Sequence, residues 1–312
     1  MTAPRIVIAE FMDEAAVDAL GQNHEVLYDP LLVDDRAALV AATVGSKALI
    51  VRNRTRVDAQ LLDAGPALVV VGRLGVGLDN IDLEACAARN VEVIPATGAN
   101  SDAVAEYVIA SVLVLMRGAF MASPVMVAGS WPRTDLVGRE VGGRTMGLVG
   151  FGDIARRVAR RANALGMNVI AYDPFLDPGD RAWNGVESVD MDDLLRRSDA
   201  LSIHVPLTEE TAHLIGSDAL SSMPSGAVLI NTSRGGIVDE QSVVDSLRNG
   251  HLGGAALDVF QEEPMTADSG ALFRDTPNLI LTPHIAGVTV ESNHRVSALI
   301  ADRVTDKLAE IR

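Results

Sequence analysis

The chain has 312 residues, 26 Lys+Arg against 42 Asp+Glu, a formal net charge of -16 and 48% hydrophobic composition. That length suits two domains with packed cores and argues against wholesale disorder. The acidic balance argues against general affinity for nucleic acid or anionic membrane. The lone cysteine, Cys86, rules out an intrachain disulfide, no CxxC pattern points to zinc, and no metal is expected. The start, MTAPRIVIAEF, lacks the charged-then-apolar pattern of a secretory signal, and no apolar run approaches the ~18 residues of a membrane span. A cytoplasmic location is the expectation.

In chain order, short apolar and β-branched runs occupy residues 5–9, 25–28, 48–51, 68–72 and 91–94, with helix-like segments between them, such as 13–20 and 82–89. Such alternation predicts a parallel α/β sheet of about five strands. A long helix is predicted from Asn100 or Ser101 to about Arg117, with Ala105, Ile109, Val112 and Met116 at helical spacing and Ser101 or Asp102 as cap. A second series follows at residues 145–149, 168–171, 200–204, 227–231, 254–258 and 279–281, predicting a larger parallel sheet of six strands. Residues 288–312 read as a closing helix, with no further domain expected after it.

The most informative local run begins at Thr145. A strand leads into Gly150-x-Gly152-x-x-Ala155 and a helix leaves it. Gly150 permits a tight turn, Gly152 leaves room for a pyrophosphate against the backbone, and Ala155 is small enough for helix–sheet packing. The helix N-terminus offers N–H groups and a positive dipole end to phosphate. Asp173 ends the next strand, where a carboxylate accepts from adenosine ribose hydroxyls and repels a 2′-phosphate. Pro174, Phe175 and Leu176 follow it with no arginine, so NAD is favoured over NADP. The alternative is a glycine-rich turn without a ligand.

Interconverting an alcohol and a carbonyl needs an acid–base group, and histidine suits both directions near neutral pH. Of six histidines, His284 lies just past the last predicted strand, where parallel sheets bind ligands. Arg234 beside two glycines, and Asp258 with Glu262 and Glu263, follow the two preceding strands. Loops leaving successive strand ends of one sheet can converge.

With these motifs the chain resembles the D-isomer-specific 2-hydroxyacid dehydrogenase family along essentially its whole length. The stretches from Asn100 to Glu106 and from His204 to Thr208 strengthen the likeness, and Ala155 replaces the usual third glycine. The resemblance implies an α/β fold: a Rossmann dinucleotide-binding domain at residues 99–286, and a flavodoxin-like parallel-sheet substrate domain at 1–98 plus 287–312. It implies that Arg234 holds the substrate carboxylate and polarises the C2 oxygen, that His284 exchanges the hydroxyl proton, and that Glu263 orients the imidazole. Glu263 is chosen over Glu262 because it directly precedes Pro264. NAD contacts are implied at Gly150, Gly152, Asp153, Ile154, Asp173, His204, Val205, Pro206, Thr211, Thr232, Asp258 and Gly287.

Substrate contacts are expected at Arg52, Asn53, Arg73, Asn100 and Arg133. The backbone N–H groups around Leu74, Gly75 and Val76 are expected to bind the carboxylate. Arg52 and Arg73 suit a second anion at C3, since guanidinium matches phosphate-like oxygens. Arg133, after Trp131-Pro132, is expected to reach a neighbouring subunit's site in a homodimer. Breadth of motif match ranks the phosphoglycerate-oxidising branch first and the sulfolactate-oxidising branch, suggested by residues 9–17 and 95–100, close behind. Glyoxylate or hydroxypyruvate reduction is a third possibility. An NAD(H)-sensing protein without catalysis is a fourth, distinguished by binding NADH without reducing any 2-oxo acid.

Overall fold

A strand covered on both faces needs apolar side chains at successive positions, because alternate residues point to opposite sides. Strand β1 (Arg5–Ile8) shows the consequence: Ile6, Val7 and Ile8 are all fully buried. The computed structural model describes residues 5–177 and 179–311; Met1–Pro4, Pro178 and Arg312, the outermost ends of the expected domain ranges among them, lie outside the described residues. The chain divides into two compact units, Met1–Asn100 with Val288–Arg312, and Ser101–Gly287.

The first unit adds β2 (Glu25–Tyr28), β3 (Ala48–Val51), β4 (Val70–Arg73) and β5 (Glu92–Pro95). All pair in parallel in the order β2-β1-β3-β4-β5, a flavodoxin-like arrangement. Ile6, Ile8, Ala48 and Ile50 face helices α1 (Glu14–Gly21) and α11 (Val290–Ala309). Val7, Leu49 and Val51 face α2 (Arg36–Thr43), α3 (Ala59–Ala64) and α4 (Leu83–Ala88). Helix α11 starts at a Thr289/Ser292 capping box and buries Val296, Ile300, Val304 and Leu308, four residues apart, on this sheet. A Cβ at Gly72 would stand 2.7 Å from Ile300 Cγ2, so the missing side chain lets α11 lie close on β4.

The second unit opens with α5 (Ser101–Arg117) and α6 (Ser123–Val127). Then come β6 (Thr145–Val149), α7 (Asp153–Ala164), β7 (Asn168–Tyr172) and β8 (Glu187–Ser188). Next are α8 (Met191–Arg197), β9 (Ala200–Ile203), α9 (Ser217–Ser222) and β10 (Val228–Asn231). α10 (Glu240–Arg248), β11 (Gly254–Leu257) and β12 (Leu279–Leu281) complete the unit. The order β12-β11-β10-β9-β6-β7-β8, all parallel, is the Rossmann arrangement with an added edge strand. Helices α5 and α7 cover one face through Val104, Val108, Val112, Ala155 and Val158. Helices α8, α9 and α10 cover the other through Leu194, Leu220, Val243 and Leu247.

The sheet has seven strands, not the six predicted. The extra one, β8, is two exposed residues at an edge and carries no apolar signal. Strand β4 also starts two residues later and ends one residue later than predicted, which carries Arg73 into the sheet. Among the described residues no single helix is long and apolar enough to cross a membrane; only the bent pair Ser101–Arg117 and Phe120–Val127 passes by length and composition, and α5 is largely packed against the sheet.

Candidate active site

The strand order of the second unit reverses between β6 and β9, and ligands of open parallel sheets bind at such a point. Gly150, at the end of β6, takes φ 84, and its N–H donates to the Tyr172 carbonyl at 2.8 Å. A Cβ there would lie 2.7 Å from the His204 carbonyl oxygen at the end of β9, so the turn needs glycine for conformation and for space. Gly152 is different: its Cβ would meet no protein atom within 4 Å. The room it leaves is open at the N-terminus of α7, where Asp153 and Ile154 begin the helix. Ala155 is fully buried in the core.

The Asp173 carboxylate accepts from the N–H groups of Phe151 at 2.9 Å and Phe175 at 3.0 Å, tying the end of β7 to the glycine turn. Each oxygen keeps lone-pair capacity for a ribose hydroxyl. Burial pushes the His204 imidazole down to about 4, so it is neutral at physiological pH. Its Nε2 and the Thr232 hydroxyl are buried without a protein partner, which suits a polar ligand. The glycine turn, Asp173 and these two groups fit a dinucleotide. The Thr211 hydroxyl is already committed: it donates to the Pro206 carbonyl at 2.7 Å and accepts from the Thr208 N–H at 2.7 Å, so it shapes the loop that carries Val205 and Pro206.

Three loops after β10, β11 and β12 bring Arg234, Glu263 and His284 together. Asn231 holds the first, donating from Nδ2 to the Arg234 carbonyl at 2.9 Å and accepting from the Ser233 N–H at 3.0 Å. A Cβ on Gly235 would sit 1.8 Å from the Phe260 carbonyl oxygen, so glycine lets this loop lie against the next. Glu263 accepts from the Phe260 N–H at 2.9 Å, and its other oxygen stands 2.8 Å from His284 Nδ1. Burial pushes the Glu263 carboxyl up, but the hydrogen bonds from His284 and Phe260 and the charges of His284 and Arg234 outweigh it, leaving it below the usual range. The His284 and Glu263 side chains are 34% and 33% exposed, so the pair remains reachable.

His284 itself has φ 52, rare for a residue with a side chain. Asp258 holds it there. Its backbone carbonyl accepts the His284 N–H at 2.7 Å. Its carboxylate, 1% exposed, accepts from the Thr282 hydroxyl at 2.6 Å and the N–H groups of Ile285 and Ala286 at 2.8 Å each. Tyr107 on α5 reaches the Thr282 hydroxyl at 2.5 Å. The sequence points to Asp258 for the cofactor alone; its turn-building role with Thr282 and Tyr107 has no sequence signal, because these partners lie 24 to 175 residues apart.

In the first unit the Arg52 guanidinium donates to Asn293 Oδ1 at 2.9 Å and lies 5.8 Å from the Phe11 ring centroid, while Asn53 is exposed. Arg73 is buried at 9% exposure. The expectation that the N–H groups of Leu74 and Gly75 bind a carboxylate needs correcting. The Leu74 N–H donates to Val51 in the ladder and the Gly75 N–H to the Arg73 carbonyl, both at 2.8 Å. The late end of β4 is the reason, and Val76 is the named residue left to offer its N–H. Asn100 Oδ1 is buried without a partner. In the second unit, exposed Arg133 lines a hollow with Arg117, Met126, Trp131 and Val137. Gly287 is the last residue of that unit.

Residues 109–286 match the family profile described as D-isomer specific 2-hydroxyacid dehydrogenase, NAD binding domain. The chain belongs to this family. It is 55% identical over 300 residues, 96% of each chain, to an (S)-sulfolactate dehydrogenase of Chromohalobacter salexigens. It is 41% identical over 311 residues to a D-3-phosphoglycerate dehydrogenase of Mycobacterium leprae, of whose length it spans 58%. The crystal structure of the TT0316 protein of Thermus thermophilus superposes with a TM-score of 0.89 at 31% identity, covering 98% of this chain and 97% of that one. As a member of the family the chain is an NAD-dependent oxidoreductase acting on the CH–OH group of a 2-hydroxy acid.

Asp173→Ala removes the anchor of the glycine turn together with a carboxylate that has capacity for a ribose hydroxyl. NAD affinity should fall and discrimination against NADP should relax, measured as the ratio of kcat/KM for the two cofactors. A wild-type preference for NADPH would contradict the assignment of Asp173.

Proposed function

We propose that the physiological substrate is (S)-sulfolactate, a 2-hydroxy acid with a sulfonate on C3, oxidised to its 2-oxo acid. The carrying observation is the 55% identity along nearly the whole of both chains to the Chromohalobacter salexigens enzyme, against 41% for the phosphoglycerate enzyme. This supports sulfonate over phosphate, the reverse of the order that breadth of motif match suggested. The chemistry agrees: sulfonate and phosphate are tetrahedral heads of similar size, and (S)-sulfolactate has the same spatial arrangement at C2 as D-3-phosphoglycerate.

In this reading Met1–Asn100 with Val288–Arg312 is the substrate-binding domain and Ser101–Gly287 the nucleotide-binding domain. Arg52, Asn53 and Arg73 take the C3 head group, with Asn100 and the Val76 N–H as further substrate contacts. Arg234 binds the C1 carboxylate and polarises the C2 oxygen. NAD, when bound, supplies the hydride acceptor. His284 Nε2 removes the hydroxyl proton as the C2 hydrogen leaves as hydride, and returns it in the reverse direction. Glu263 holds Nδ1, fixing the ring orientation and stabilising the imidazolium that forms. Asp258 keeps its second role, toward the nicotinamide carboxamide.

The segment carrying Arg133 exposes Phe120, Val127, Trp131 and Val137 at 64–89%. So much bare apolar surface supports a homodimer formed through this segment, with Arg133 serving a neighbouring subunit. The proposed location is the cytoplasm.

A screen of (S)- and (R)-sulfolactate, D-3-phosphoglycerate, D-glycerate and D-lactate with NAD should rank (S)-sulfolactate first by kcat/KM. A win for D-3-phosphoglycerate would move the head group to phosphate, and a win for D-lactate or D-glycerate would sink the second anion. His284→Ala should lower turnover by roughly 10²–10⁴-fold, the loss expected of a general acid–base group, while NADH still binds in a fluorescence titration. Unchanged turnover would remove His284 from the mechanism. Glu263→Gln takes away the negative charge that favours imidazolium, and reduction needs the protonated ring. The high-pH limb of the reduction profile should therefore move to lower pH; a shift upward would contradict the Glu263 role.

A further inference from the structure

Arg52, the proposed head-group residue, sits on a short loop after β3, and that loop is built around one buried carboxylate. Glu10, two residues past β1, is 5% exposed. It accepts from the N–H groups of Arg52 at 2.8 Å, Thr55 at 2.9 Å and Arg54 at 3.2 Å. From the other side, Asn80 donates to the carbonyls of Thr55 at 2.7 Å and Arg52 at 3.3 Å. The N–H groups point inward to the carboxylate and the carbonyls to the amide. The bonds skip Asn53, which stands at the exposed apex. The Arg54 side chain is turned away into an ion pair with Asp34, whereas the Arg52 guanidinium stays between Asn293 and the Phe11 ring.

A carboxylate buried beside a loop meant to receive an anion opposes that anion, so its presence needs a reason. Three N–H bonds to a charged acceptor fix a loop more firmly than neutral bonds do. An anion site needs such fixing, since a donor displaced by an ångström loses most of its bond.

We propose that Glu10 is a positioning residue for the C3 head-group site, holding the Arg52–Thr55 loop so that Asn53 and the Arg52 guanidinium meet the second anion of the substrate. This rests on the second-anion reading above. Glu10 touches neither the substrate nor the reacting atoms; it acts through the loop. Its influence therefore falls on binding of the head group and not on the proton or hydride steps, which belong to residues of the other unit.

The test compares wild type and Glu10→Gln with (S)-sulfolactate and with D-lactate, which lacks a C3 anion, alongside melting temperature and NADH affinity. Glutamine keeps the shape but sets an NH₂ against N–H donors. KM for (S)-sulfolactate should rise about tenfold, the equivalent of one charge-assisted hydrogen bond, with kcat little changed. The ratio of kcat/KM for the two substrates should fall by the same factor. An equal fall for both substrates, or no change for either, would overturn the inference. Failure of the underlying reading shows separately, as a wild-type enzyme that already prefers D-lactate. Asn80→Ala loosens the loop from its carbonyl side and is measured in parallel. If Glu10→Gln fails to fold, a selective rise in KM for Asn80→Ala supports the proposal and a uniform fall overturns it.

Discussion

The Asp258 carboxylate is the group on which the geometry of the candidate site depends. It is buried at the end of β11, and three donors from the turn after β12 converge on its two oxygens. Each N–H left unsatisfied in such a place costs ~1–3 kcal/mol, so the turn has one low-energy arrangement. That arrangement forces His284 into a left-handed backbone conformation and directs Nδ1 to Glu263. Strain at one residue is tolerated because the surrounding bonds over-determine it. Tyr107 extends the network through Thr282 to α5, so the long helix that opens the unit also braces its last loop.

Both units use the same solution for an anionic or polar loop at a strand end. In the second unit Asp258 gathers the N–H groups of the His284 turn, and Asp173 gathers those around the glycine turn. In the first, Glu10 gathers those of the Arg52 loop. Parallel strands end with their loops on one edge, and such loops have few backbone partners of their own. A buried carboxylate supplies acceptors without lengthening the loop. Glycine does the complementary work at Gly150 and Gly235, where backbone must pass closer to backbone than any Cβ allows.

The acidic composition does not conflict with an anionic substrate. Net charge acts over the Debye length, about 8 Å at physiological ionic strength, whereas recognition is local. Arg234 has Glu263 in its electrostatic neighbourhood, and Arg52 has Glu10. Burial lowers the Arg52 guanidinium from its ordinary value and Glu10 partly offsets that, yet it remains a cation at any physiological pH.

The sequence alone determined the class of fold and the chemistry. Short continuous apolar, β-branched runs such as Ala48–Val51, alternating with helix-like segments, fit strands buried on both faces, and the spacing of Gly150, Gly152 and Asp173 follows from local strand–turn–helix geometry. Arg234, Glu263 and His284 were singled out because each follows a strand signal. Tertiary structure decided everything that depends on residues far apart in the chain. It showed that Asp258 builds the His284 turn, that Gly235 lets the Arg234 loop lie against Phe260, and that Leu74 and Gly75 spend their N–H groups inside the protein. It also brought Glu10 and Asn80 onto the loop of Arg52, 42 and 28 residues away. Periodicity reports which face of an element is buried, but a hydrogen bond across such separations leaves no period to read. Only the folded chain fixes which donor meets which acceptor.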